Sequence, residues 1–246
     1  MAIEKTIQAQ VGGYVSTLMR DHFGKGPTSV YVTIEPPFIT VHLRGFLAPT
    51  EQILLKQLET RRVMETRDLL MNDLKAEIKL ELWKIAEFDV QELYADWDLD
   101  KKTGLIIAVL DEKTTDQNLP WPENIDEKAV YQEINEASRK AQKTPESTEI
   151  VWLNDRTVLI KRLGIFVEIE KELIKGGFIE ELKLVKRPLE QRLLSQANLN
   201  ALFKKDILEV FVDWNFEGDR GYMVLLLEAK KQQPEKVQFP ENLQNL

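Results

Sequence analysis

The sequence predicts an α+β protein of two tandem α-β-β-α-β-β units, each a four-stranded antiparallel sheet with helices on one face, paired as an intramolecular pseudo-dimer. Three observations predict it. One stretch is used twice: residues 90–100 followed by 104–110 return as residues 207–217 followed by 221–227, with Trp97 mapping to Trp214 and Gly104 to Gly221 at an offset of 117. Such a repeat is the sequence sign of a repeated structural unit. Runs with period-two alternation stand before and inside each copy, as half-buried strands require. Stretches with apolar residues three and four apart stand between them, as amphipathic helices require. The expected units cover residues 1–115 and, with a C-terminal tail and a more altered sequence, residues 116–246.

Residues 3–23 read as a helix, with Ile3, Ile7, Val11, Tyr14, Val15, Leu18 and Met19 on its apolar side. It stops at Gly24, with Pro27 just beyond. Two strands follow. Val30, Val32 and Ile34 alternate with Tyr31, Thr33 and Glu35; Ile39, Val41 and Leu43 alternate with Thr40, His42 and Arg44; Pro36-Pro37 turns between them. Pro49-Thr50-Glu51 suits a helix start, since proline fits the first turn and an acid complements the positive helix end. A break near residues 60–62 precedes a long helix whose apolar stripe is Val63, Leu69, Leu70, Leu74, Ile78, Leu82 and Ile85. The repeated hairpin completes the unit.

The second unit repeats this order after a linker at 111–124: a helix at 125–142, then strands at 149–154 and 157–163. Gly45 maps to Gly164 and Pro36-Pro37 to Asp155-Arg156 at an offset of 119, so the change to 117 places a two-residue deletion in the intervening helices, where Pro188 is expected to kink or restart the chain. An aromatic-Pro-Glu-Asn-aliphatic pattern at 121–125 returns at 239–243. Either the end of the chain is a polar tail, or Phe239 docks on the second unit as Trp121 docks on the first.

Composition narrows the function. The 246 residues carry a net charge of −8 and contain no cysteine, which excludes disulfides and thiol chemistry and makes a cytoplasmic location the expectation. Residues 1–115 hold 14 basic and 18 acidic residues and the remainder 19 and 23, so each half carries −4; that balance argues against nucleic acid as a partner. The first residues lack the apolar core of a signal peptide, and no run reaches the roughly 20 apolar residues of a membrane span, so no membrane insertion is expected.

Candidate chemistry is sparse. Asp96 and Asp98 share a strand face and could hold a cation or act as an acid pair. The expected alternative is a solvated strand end meeting Lys101 and Lys102. His22 and His42 have no third ligand at metal spacing, and no nucleophile motif is present, so no metal, no cofactor and no catalytic residue is expected. The outer sheet faces differ more. The first unit presents Tyr31, Thr33, Glu35, Thr40, His42, Arg44, Tyr94, Asp96 and Asp98; the second presents Ile150, Trp152, Leu159, Lys161, Leu163, Phe211 and Asp213. The second face is apolar enough to need a cover: this chain's own helices or first unit, or a partner or second copy. Ile150, Trp152, Leu159, Leu163 and Phe211 are its candidate interface residues.

Arg20, Gly24-Lys25-Gly26-Pro27 with the valine-rich strand after it, Leu43-Arg44-Gly45-Phe46-Leu47 followed by Pro49-Thr50-Glu51, the long helix with Arg67, and the terminal hairpin with Asp96 and Asp98 together resemble the MpsC-like family of membrane-potential-generating systems. The resemblance covers nearly all of residues 10–111. It implies a stand-alone domain, some of whose relatives are associated with membrane systems for cation or inorganic-carbon transport. The second unit reads Lys143-Thr144-Pro145-Glu146 in place of the Gly-Lys-Gly-Pro loop and Leu163 in place of Arg44, so any function of those groups stays in the first unit. The expected role is a non-catalytic interaction or regulatory protein with a protein partner, a membrane transport complex among the candidates. The alternative is a small-ligand or anion sensor with Arg20, Lys25, His42 and Arg44 as contacts.

Overall fold

A computed structural model describes residues 2–111 and 120–229. The first unit runs α1 (Ala2–Phe23), β1 (Ser29–Glu35), β2 (Phe38–Arg44), α2 (Pro49–Lys56), α3 (Thr60–Ala86), β3 (Val90–Asp98) and β4 (Thr103–Leu110). The second runs α4 (Glu127–Ala141), β5 (Ser147–Trp152), β6 (Thr157–Leu163), α5 (Glu168–Lys175), α6 (Ile179–Gln196), α7 (Leu199–Phe203), β7 (Ile207–Asn215) and β8 (Arg220–Leu227). The sheets are antiparallel and share one order, β1-β2-β4-β3 and β5-β6-β8-β7. The second hairpin of each unit therefore pairs through its last strand with the first hairpin, leaving β3 and β7 as sheet edges.

Alternation along the strands sorts the side chains into three cores. Val11, Val15 and Leu18 of α1 and Leu74, Ile78 and Leu82 of α3 cover Ile39, Val41, Leu43 and Trp97. Val130 and Ile134 of α4 and Leu199 and Phe203 of α7 cover Ile160, Val212, Trp214 and Met223. The third core lies between the sheets, where Phe38, Tyr94, Leu105, Ile107 and Val109 meet Val151, Leu153, Leu159, Phe211, Tyr222 and Val224. The chain is thus layered helix, sheet, sheet, helix, and the apolar face of the second unit is covered by the first. The tryptophan-glycine repeat is a packing device. A Cβ on Gly104 would fall 2.3 Å from the Trp97 ring, and one on Gly221 would fall 2.6 Å from Ile165 Cδ1 and 3.2 Å from Trp214 Cδ1.

Four expectations need correction. Ile150 and Trp152 do not lie on the outer face; they belong to the helix-side core of the second unit, with Trp152 5.7 Å from Phe203. The cause is one residue in a turn. Glu35 pairs with Phe38 around Pro36-Pro37, whereas Trp152 pairs with Val158 and the Leu153 N–H reaches the Thr157 carbonyl at 2.9 Å. The longer turn changes the offset along β5 from 119 to 118, and a one-residue slip turns every side chain to the opposite face. Val151 and Leu153 are the residues that face the first unit; Leu159 and Phe211 lie there too, and Leu163 is half-buried at the rim. Leu69, assigned to the apolar stripe of α3, is 62% exposed. The buried side of α3 runs instead through Arg67 and Asp68.

The Arg67 guanidinium, fully buried, pairs with Glu51 at 2.7 Å and lies 4.1 Å from the Phe46 ring centre. Pro188 lies inside α6, which continues through it, and the break falls later, before α7. Trp121 docks on the second unit, not the first: its indole N–H donates to the Ile125 carbonyl at 3.0 Å and its ring meets Trp152 edge-on. Phe239 lies outside the described residues. The register of β5 carries a prediction. Trp152→Ala should lower unfolding free energy by about 3–5 kcal/mol, the usual loss for an aromatic removed from a core, measured by urea denaturation; an unchanged midpoint would place the ring on a surface.

Candidate functional site

The seam between the units gathers a cluster of buried polar and charged side chains. Its centre is built by β3 and β7, one of the two edge strands of each sheet. Alternate backbone N–H groups of an edge strand point away from the sheet and need acceptors. Asp213 of β7 accepts the Ala95 N–H of β3 at 3.0 Å, and Asp96 of β3 accepts the Val212 N–H of β7 at 2.8 Å. Each carboxylate also accepts the N–H of its own next residue, Trp97 or Trp214. Asp96, Ala95 and Trp97 map to Asp213, Val212 and Trp214 at the repeat offset of 117, so the exchange is reciprocal.

Buried carboxylates require cations. Both come from α6. Arg187 Nε lies 2.5 Å from Asp96 Oδ1 and its Nη2 reaches Asp68 of α3 at 3.1 Å. Lys183 Nζ lies 3.1 Å from Asp213 Oδ1 and 3.5 Å from Asp68 Oδ1. Gln191 donates to Asp96 Oδ2 at 3.3 Å. Burial pushes the Asp96 carboxyl up to about 6 in spite of Arg187. Burial would lower Lys183, but Asp213 and Asp68 outweigh it and hold the ammonium above its ordinary range. The solvated strand end expected here is thus true of Asp98, which pairs with Lys101 at 3.1 Å, and untrue of Asp96, which is fully engaged at the seam. The two acids do not form a pair.

Two glutamates flank this centre, each at a bulge at the start of its edge strand, and they map to each other at 117. Glu92 accepts from the hydroxyls of Tyr94 at 2.5 Å and Tyr222 at 2.8 Å and from Asn215 at 3.1 Å, and it pairs with Arg220. Burial would raise its carboxyl, but these donors hold it below the ordinary range. Glu209 meets His42 Nε2 at 2.9 Å and Arg44 Nη2 at 3.7 Å. Burial again opposes, and His42, Thr103 and Arg44 hold its carboxyl low.

A groove of about 780 Å³ opens on the Glu209 side. Gly12 and Gly13 of α1 lie on one wall, where Gly13 faces open space and Gly12 packs towards Val30 and Val32, and Tyr31, His42, Arg44, Asn154 and Arg156 are among the residues that line the rest. Tyr31, more than half exposed, stacks on His42 at 6.0 Å, and Asn154 donates to Thr33 Oγ1 at 3.1 Å. Of the four residues assigned to ligand binding from sequence, the structure brings His42 and Arg44 together here. Arg20 pairs with Asp21 on the surface of α1, and neither it nor Lys25 lines the groove. Glu92, Glu209, Asp68, Lys183 and Arg187 escape sequence reasoning. The recurrence of Glu92 as Glu209 was the available signal; Asp68 and Arg187 were signalled by falling in line with the buried turns of their helices.

A family model described as the Na+-translocating membrane potential-generating system (MpsC) matches residues 4–112. No curated protein and no solved structure matches the chain. The matched span holds His42, Arg44, Asp68, Glu92 and Asp96 but none of their partners in the second unit.

The Glu209 contacts give a prediction with a definite sign. A carboxyl held low in the folded state contributes stability above its unfolded pKa and loses it as pH falls. His42→Ala should therefore cost about 1–3 kcal/mol at neutral pH, the penalty for a buried acceptor left short of a donor. The difference from the parent should begin to shrink as pH falls below about 4.5, where Glu209 of the unfolded chain takes up a proton first, and should vanish only below the lower pKa of the folded parent. Urea denaturation of the two proteins across the acid range measures it.

Proposed function

We propose, from a first unit that belongs to the MpsC family, that this chain is a non-catalytic interaction or regulatory protein associated with a sodium-translocating membrane system. The observation that carries this proposal is how the sheets are used. Their outer faces cover each other, so the surfaces left for a partner are the helical exteriors. On α3 the exposed Leu69, Leu80 and Trp83 fall along one side, since 11 residues and then 3 more bring them within about 60° at 100° per residue. A row of large exposed apolar side chains marks an interaction surface. No helix among the described residues is long and apolar enough to cross a membrane, and the proposed association runs through this surface. Leu80→Glu with Trp83→Glu should reduce recovery with membranes holding the sodium-translocating complex about tenfold, the effect of losing aromatic and aliphatic anchors, while the melting temperature stays constant. Full recovery of the variant would remove the proposal.

A second function, sensing of a small anion, is favoured by the seam groove. Arg44 keeps about half its side chain exposed there although Glu209 lies within 3.7 Å, and Arg156, bonded through Nε to the Leu227 carbonyl, is exposed. Two guanidinium groups with free donors suit a carboxylate or phosphate. Bicarbonate, phosphate and a nucleotide are the anions to try. One present at a hundred times its dissociation constant should add about 2.7 kcal/mol to stability, visible as a rise in melting temperature that Arg44→Ala abolishes. No shift with any of the three would leave the interaction role alone.

A further inference from the structure

We propose that the buried charges where α3 meets α6 make each unit select the other and reject a copy of itself. This goes beyond association with a membrane system and does not depend on it.

The units are equivalent in detail around this contact. Glu51 accepts the Ala48 N–H and pairs with Arg67; Glu170 accepts the Val167 N–H and pairs with Lys186. All three positions are related by 119, which makes Asp68 the counterpart of Arg187 and Met64 the counterpart of Lys183. Asp68 and Arg187 also touch, at 3.1 Å, across the seam. A position that meets its own counterpart lies at the pseudo-twofold axis, and in a pair of identical units it would meet itself.

The consequence is a charge balance that only the mixed pair satisfies. In this chain the seam gathers Asp68, Asp96 and Asp213 with Lys183, Arg187 and the partly buried Lys75, three acids with three cations. Two first units paired the same way would gather four acids, Asp68 and Asp96 twice, with Lys75 twice, and lose both α6 cations. Two second units would gather four cations, Lys183 and Arg187 twice, with Asp213 twice. Like charges forced together in a buried contact repel, so both self-pairings are disfavoured while the backbone exchange through Asp96 and Asp213 would suit all three pairings equally. The carboxylate exchange gives affinity, and the α3–α6 charges give identity. The partner that fits either surface is a unit of this fold carrying the opposite charge at position 68 or 187.

The full chain tests this directly. A site for a specific protease is placed within residues 112–119, the folded protein is cleaved, and the halves are examined by native mass spectrometry at neutral pH over a dilution series. The expected species is one first half with one second half, with no self-pairs. Arg187→Glu should weaken that pair at least about 100-fold, as for a buried charge left without its partner. Exchanging the signs, Asp68→Lys with Arg187→Glu, restores the charge balance and should recover at least about tenfold of the loss. If Arg187→Glu does not fold, Asp68→Asn serves alone: it removes two of the four acids from a first-half self-pair, which should then rise at least about tenfold relative to the mixed pair. Self-pairs as abundant as mixed pairs in the parent, no recovery in the exchanged variant, or no rise with Asp68→Asn would each overturn the proposal.

Discussion

The reciprocal hydrogen bonds of Asp96 and Asp213 are the constraint on which the rest of the structure depends. Each carboxylate closes the open edge of the other unit's sheet. A free edge is a template for pairing with other chains, and here it is capped by a side chain. The capping group is charged and buried, so it needs a cation, and the cation must come from a helix that reaches the seam. Arg187 and Lys183 supply it from α6, and Asp68 then satisfies their remaining charge from α3. Asp96 ends with hydrogen bonds from Trp97, Val212 and Gln191 and an ion pair to Arg187. One backbone requirement at an edge thus fixes the identity of residues on two helices and two strands.

The elements were legible in the sequence because their apolar positions recur at the right period, and the need for a cover was legible because one face of the second sheet is too apolar to stay bare, though not what the cover is. The chemistry at the seam was not. Arg67, Asp68, Lys186, Arg187 and Glu190 stand on the buried sides of their helices, yet periodicity counts charged residues as solvent-facing. Only a partner makes such burial tolerable, and the partner of Asp68 is 119 residues away. Asp96 and Asp98 are two residues apart on one strand and end in opposite environments, because only Asp96 lies opposite α6. The error at Ile150 and Trp152 has another origin. Glycines and turns mark the repeat in the sequence, and the one residue that separates the two turns shows only in the strand pairing.

The two units solve one problem in different ways inside their cores as well. Arg162 and Glu190, both fully buried, pair at 2.6 Å, and Glu190 also receives Trp214 Nε1 and Gln142. At the offset of 119 the first unit has Leu43 and Met71 in those places, both buried. A buried ion pair and a pair of apolar side chains of like size are close in stability, so either can stand provided both members change together. Arg162 without Glu190 would be a charge in a hydrocarbon core.

That asymmetry decides where a site can form. Pseudo-symmetry would give the seam two equivalent grooves, one beside Glu209 and one beside Glu92. Beside Glu209 the first unit contributes His42 and Arg44, and the pair leaves an opening bounded by Tyr31 and Arg156. Beside Glu92 the corresponding positions are Lys161 and Leu163, and the carboxylate is bonded by Tyr94, Tyr222, Asn215 and Arg220. Glu92 keeps more of its side chain exposed than Glu209, 16% against 5%, so the two sides differ in the groove that His42 and Arg44 line and not in the openness of the glutamates. His42 and Arg44 belong to the first unit and Glu209 and Arg156 to the second, so this opening is a property of the mixed pair, and the charges that hold unlike units together are also what keeps it in being.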